Sequence, residues 1–119
     1  MSAPLIIDPL AIENLRALTP DDDDAFLREI VGIFLEDTPK RITELEESLA
    51  GNDPLRFTRA AHSVKGSSSN LGAMALRAVA ERLEHQSKQT GLTGVEALLA
   101  ELKTEFARAA TELRQIPKL

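Results

Sequence analysis

The chain has no cysteine, no tryptophan and no tyrosine, and four phenylalanines are its whole aromatic complement apart from histidine. Without cysteine, disulfides, thiol catalysis, thiolate zinc sites and cysteine-ligated clusters are all excluded. Without tyrosine, tryptophan or a sustained alternation of β-branched residues, strand signals are nearly missing. No apolar run approaches the roughly 18 residues that a membrane span needs, so no membrane role is expected. Positive charge is in deficit: 14 Lys+Arg stand against 19 Asp+Glu, a formal net charge of −5. A small acidic chain lacks the basic footprint that binding to a phosphate backbone requires, so nucleic acid is not an expected partner. Met1-Ser2-Ala3-Pro4 has no basic region and Leu5-Ile6-Ile7 is too short for a signal core. A cytoplasmic chain without a targeting segment is therefore expected. The apolar share of 43% is ordinary for a globular protein. The 119 residues make one domain, 1–119, with a single core and no room for a nucleotide-binding kinase domain beside it.

What the sequence does contain is helix punctuation. Asp8-Pro9 is an N-cap followed by proline at the first helical position, opening a short helix to about Leu18. Thr19-Pro20 repeats the device, and Asp21 to Asp24 then read as a solvated first turn that opposes the helix dipole. The second helix carries Phe26, Leu27, Ile30, Ile33 and Phe34; Pro39 is expected to kink or split it, and Ile42, Leu45 and Leu49 resume the pattern up to Gly51-Asn52. Asp53-Pro54 opens a third helix that stops at Gly72, and a fourth runs from about Met74 to Gly91. A capping box, Thr93 with Glu96, is expected to start the fifth. Its stripe of Val95, Leu98, Leu99, Leu102, Phe106, Ala109 and Leu113 is the cleanest helical period in the chain, and Pro117 lies beyond its end. The expected fold is all-α: an antiparallel four-helix up-down bundle with a short N-terminal helix packed on one end.

The third helix holds the chemistry. With His62 at zero on a helical wheel, Phe57, Ala60, Ala61, Val64, Ser68 and Leu71 fall at about 160° to 260°, the core face. Thr58, Arg59, Lys65, Gly66 and Ser69 fall within about 60° of the histidine, which therefore points at solvent. A neutral imidazole is a nitrogen nucleophile near pH 7. Lys65 and Arg59 are placed to offer charge to a phosphoryl group on that nitrogen, and Ser69 to add a hydrogen bond. Gly66 is an expensive helix residue, by about 1 kcal/mol against alanine, and it clears the side chain that would crowd the imidazole. Between Pro54 and Ala80 there is no acid, while Arg56, Arg59, Lys65 and Arg77 give an acidic chain one positive face.

Plainer readings exist for each part. An isolated exposed histidine is usually just surface, Gly66 alone fits a helix-packing contact, and Ser67-Ser68-Ser69 alone fits an interrupted helix end. Metal binding by His62, His85, Glu81 and Glu84 lacks a paired Glu-x-x-His set pointing inward from two helices. Lys65-Gly66-Ser67 has the wrong order for a phosphate-binding loop, and a Ser-His hydrolase site lacks its third group and elbow motif.

The segment Arg59–Ala73, RAAHSVKGSSSNLGA, resembles the signature of histidine-containing phosphotransfer (HPt) domains, H-x-[LV]-K-G-[SA]-x-x-x-[LIV]-G-[AL]. His62, Val64, Lys65, Gly66, Ser67, Leu71, Gly72 and Ala73 meet it. The resemblance implies that His62 is the phosphoacceptor, that Lys65 supports the phosphoryl group and that Gly66 admits the incoming receiver domain. It matches Leu83-Glu84 to a Leu-Glu pair near the end of the next helix; some members carry glutamine at the position of Glu84, where it bonds the imidazole region. A glutamate there would accept from Nδ1–H and leave Nε2 to react. Leu55, two turns before His62 on its face, and Thr58 join Gly66 and Glu84 as candidate docking residues. The implied partners are receiver domains of response regulators and hybrid histidine kinases. The implied protein is a monomer that needs no cofactor of its own, with Mg²⁺ in the partner's acidic pocket. It would be a phosphotransfer intermediate without kinase activity. Two rival functions stand beside it. Autokinase dimerisation helices usually follow their histidine with an acid and a later proline, where this chain has Ser63 and no proline before Pro117. A helical adaptor that binds a receiver or kinase without accepting phosphate differs only in whether His62 is labelled.

Overall fold

The computed structural model describes residues 3–116, so the readings placed on Met1, Ser2 and Pro117 lie outside the described residues. Among the described residues all regular structure is helical: α1 Pro9–Leu18, α2 Ala25–Ala50, α3 Pro54–Asn70, α4 Met74–Thr90 and α5 Glu96–Arg114. None of these is long and apolar enough to cross a membrane. Helix α2 packs on α3, α3 on α4, α4 on α5, and α5 returns to α2, while α1 lies against α2. Connections as short as 51–53, 71–73 and 91–95 cannot carry the chain to the far end of a neighbour, so packed neighbours run back along one another.

The core is built from apolar rows at helical spacing. Leu27, Val31, Phe34 and Leu45 come from α2; Phe57, Ala60, Ala61 and Val64 from α3; Leu76, Val79, Ala80 and Leu83 from α4; Leu99, Leu102, Ala109 and Leu113 from α5. Phe34 and Phe106 tilt against each other with ring centres 5.7 Å apart. The wheel of α3 is realised: all six residues assigned to its core face are buried. Asp8 caps α1 by accepting from the Leu10 amide at 3.0 Å, and Asp53 caps α3 by accepting from the Arg56 amide at 3.2 Å.

The turn between α3 and α4 is pinned from outside. The Asp8 amide donates to the Gly72 carbonyl and the Ala75 amide to the Leu5 carbonyl, both at 2.8 Å. Gly72 has φ +70°, and a Cβ there would stand 2.6 Å from the Ala11 Cβ, so only glycine fits where α1 crosses the turn.

Three sequence expectations are corrected. Thr19 ends α1 and does not start α2, which begins at Ala25. The acids between them form a turn with Asp23 and Asp24 at positive φ. Asp21 and Asp23 are exposed, but Asp22 accepts from the Phe26 amide at 3.0 Å and both Asp24 oxygens take the Arg16 Nε at 3.1 Å. Pro39 does not split α2, because it sits on the exposed face while the buried residues Phe34, Thr38 and Leu45 hold both halves to the core. The capping box at Thr93 does not form. Val95 precedes α5 without a side-chain cap, Gly94 turns the chain at φ +77°, and the Thr93 carbonyl accepts from Gln86.

Candidate functional site

His62 stands in the middle of α3 with its side chain 66% exposed, and the residue that orients it comes from α4. Glu84 follows Leu83 on the buried row of α4, which carries a carboxylate to the edge of the core with its side chain only 8% exposed. That carboxylate gathers three nitrogens. His62 Nδ1 lies 2.7 Å from Oε2, Lys65 Nζ lies 2.7 Å from Oε1, and Lys88 Nζ lies 3.5 Å from Oε2. Burial pushes the Glu84 carboxyl upward, but hydrogen bonds from Lys65 and His62, reinforced by their charge, outweigh it and hold the group at about 2 against an ordinary 4.5.

The tautomer follows from that ionisation. A carboxylate has no proton to give, so the hydrogen between Glu84 and the ring belongs to His62 Nδ1. The lone pair of the neutral ring is then on Nε2, the nitrogen turned away from Glu84. An exposed imidazole with a fixed tautomer and one unshielded lone pair is equipped for nucleophilic attack.

The surroundings differ in part from what the linear sequence implied. Gly66 is exposed, and a Cβ built on it meets no atom within 4 Å, so the space at i+4 from His62 is open. Leu55 is 61% exposed, an apolar residue on the histidine face. Thr58 bonds across to α4, its Oγ1 2.6 Å from Ser87 Oγ, and Ser87 in turn donates to the Glu84 carbonyl. Lys65 is engaged by Glu84, with a quarter of its side chain exposed. The Ser69 hydroxyl accepts from Arg77 Nε at 2.6 Å rather than facing His62. The expected positive face is largely neutralised. Arg56 pairs with Glu47 of α2, Arg77 with Glu81 of α4, and Lys65 with Glu84; of the four cations only Arg59 has no acid partner among the described residues. The count between Pro54 and Ala80 stopped one residue short of Glu81, which follows on α4, and missed Glu47 and Glu84 on neighbouring helices. Sequence reasoning also missed Lys88, although its spacing of four from Glu84 on a helix was a readable signal. No group of three or more His, Asp or Glu side chains among the described residues is arranged to hold a metal ion.

The profile of the Hpt domain matches residues 29–112. The chain is 29% identical over 96 residues to multistep phosphorelay regulator 1 of Schizosaccharomyces pombe, covering 81% of this chain and 32% of that protein. It is 24% identical over 106 residues to histidine-containing phosphotransfer protein 2 of Arabidopsis thaliana, covering 87% of this chain and 68% of that one. The chain thus spans about a third of the length of the yeast relative. The crystal structure of histidine-containing phosphotransfer protein B from Pseudomonas aeruginosa superposes with a TM-score of 0.84 at 28% identity, covering 96% of this chain and 95% of that one. A histidine-containing phosphotransfer protein of Medicago truncatula shares the fold with a TM-score of 0.77 at 22% identity, over 92% of this chain and 80% of that one. The matched span holds His62 and the Glu84 that orients it, and the chain belongs to the Hpt domain family.

Proposed function

We propose that this chain relays phosphoryl groups between aspartates of receiver domains, with His62 as the carrier. The observation that carries the reading is the exposed imidazole whose Nδ1 is held by Glu84, leaving Nε2 open on a helix face beside Gly66. The receiver's aspartyl phosphate approaches over Gly66 and Leu55, and Nε2 attacks phosphorus in line. Arg59, without an acid of its own, offers charge to the phosphoryl oxygens. Lys65 supports the group from beside the ring while remaining the partner of Glu84, and Ser69 lies a turn further along the same face. The receivers are those of response regulators and hybrid kinases, and their acidic pockets supply Mg²⁺ and most of the transition-state stabilisation. The chain has no kinase activity of its own.

Incubation with receiver domains charged by acetyl phosphate, followed by intact mass, tests this reading. One phosphoryl group is expected on the wild-type chain, labile to acid and stable to alkali, and none on His62→Gln. Phosphate that survives acid, or that persists in the variant, refutes it. A chain that binds charged receivers yet never gains mass is an adaptor instead. Labelling by ATP without a receiver overturns the statement about kinase activity.

A further inference from the structure

Resting on the phosphotransfer reading, we infer that Glu84 keeps the Nδ1 proton on the His62 ring after Nε2 has taken the phosphoryl group. The carried species is then a cationic N-phosphoimidazolium ring closed by a carboxylate, and uptake and delivery both proceed without moving a ring proton. The steps balance in this form. In the neutral, reactive form of the ring, the Glu84 carboxylate holds the hydrogen on Nδ1 and leaves the lone pair on Nε2. On uptake that pair forms the N–P bond, the P–O bond to the donor aspartate breaks, and the aspartate leaves as a carboxylate. The ring becomes a cation directly against Glu84 Oε2. On delivery the N–P bond breaks, its electron pair returns to Nε2, and a neutral imidazole is left. Had the Nδ1 proton escaped to solvent meanwhile, the departing group would be an imidazolate, or a proton would have to return first.

The charges around the ring make Glu84 decisive. Lys65 on α3 and Lys88 on α4 both approach Glu84, and Arg59 stands one turn before His62. Further out lie Arg56 with Glu47 of α2 and Arg77 with Glu81 of α4. Every one of the near cations disfavours a cationic ring. Glu84 is the one acid hydrogen-bonded to the ring among the described residues, and its carboxylate lies at the edge of the core with the exposed ring against it. Glutamine at this position would still accept from Nδ1–H and keep the resting tautomer, but it would leave the phosphorylated ring facing Lys65 and Lys88 with no anion between them. Glu84 is in this sense a positioning residue whose charge, beyond its hydrogen bond, sets the protonation state of the carrier.

The test compares the wild-type chain with Glu84→Gln, each phosphorylated by phosphoramidate, following the ring nitrogens of labelled histidine by NMR across pH. Nδ1 of the phosphorylated variant is expected to lose its proton at least about one pH unit below the wild type, a tenfold or greater change in proton affinity. Delivery to a receiver should slow in Glu84→Gln as pH rises past that midpoint and stay level in the wild type over the same range. Coincident midpoints overturn the inference while leaving the phosphotransfer reading intact. Failure of His62 to take phosphate at all overturns both. Should Glu84→Gln not fold, Lys88→Ala serves instead: it removes a near cation and keeps the acid, so the midpoint must rise, and an unchanged or lower value overturns the inference.

Discussion

Replacing Gly66 with alanine should stabilise this protein and slow its chemistry. Gly66 sits inside α3, away from either end, and its φ is not among the positive values found at Gly72, Gly91 and Gly94. An added Cβ meets no atom within 4 Å, so no packing clash opposes it. The change in stability is then the helix-propensity difference alone, up to about 1 kcal/mol in favour of alanine. For a domain of this size that raises the thermal midpoint by roughly 3–5 °C. Glutamine should also be tolerated, with a smaller gain. The same open space is where a receiver must bring its aspartate to Nε2, one turn before. A side chain there should slow receiver-to-His62 transfer, with Gly66→Gln slower than Gly66→Ala and reduced at least about tenfold, equivalent to about 1.4 kcal/mol in the barrier. Thermal midpoints and transfer rates measured on the same preparations check both halves. If Gly66→Gln unfolds early while its folded fraction transfers at the wild-type rate, the glycine serves packing and the reasoning is wrong.

Gly72→Ala should behave oppositely, losing more than about 2 kcal/mol in denaturant titrations, because its positive φ and the Ala11 Cβ at 2.6 Å leave no room for a methyl group. His62→Ala should cost no more than about 1.5 kcal/mol, the loss of one hydrogen bond from a largely exposed ring to a carboxylate that keeps Lys65 and Lys88. Leu102→Ala, fully buried, should lose about 2–5 kcal/mol, and similar midpoints for the two would contradict the assigned faces of the bundle. Glu84 has a folded value of about 2, below its ordinary 4.5, so its stabilisation is fully present above about pH 4.5 and disappears as pH falls towards 2. The stability gap between wild type and Glu84→Gln should therefore narrow on acidification; a constant gap would show that the carboxylate is not held by its neighbours.

The sequence made α3 and α4 legible because their signals are local. Asp53-Pro54 and Gly72 act on the backbone within a few residues, and the wheel of α3 needs only its own spacing. The expectations that failed were overturned by contacts just outside the motif or by the backbone within it. Thr19-Pro20 reads as a helix start, but Asp24 is drawn to Arg16 and the acids fold into a turn. Thr93 and Glu96 have the right spacing for a capping box, but Gly94 adopts a left-handed turn between them and the Thr93 carbonyl is taken by Gln86. At the site the same division holds. Exposure of His62 and the open flank of Gly66 follow from α3 alone. The pairing of Lys65 and Arg56, and the meeting of His62 with Glu84, require knowing which faces of α2, α3 and α4 are opposed, whereas Arg77 with Glu81 is a spacing of four on α4 itself.

The contact between Thr58 and Ser87 has a consequence for how partners are exchanged. It fastens α3 to α4 at one end of the helical hairpin, and the turn at Gly72 fastens them at the other. His62 and Glu84 lie in the span between these two points, on the most extensive helix pairing in the molecule. The His62–Glu84 pair is already assembled in the chain alone, without a partner to fold around. On the phosphotransfer reading, donor and acceptor receivers therefore meet the same preassembled surface, and every exchange starts from one geometry of ring and carboxylate.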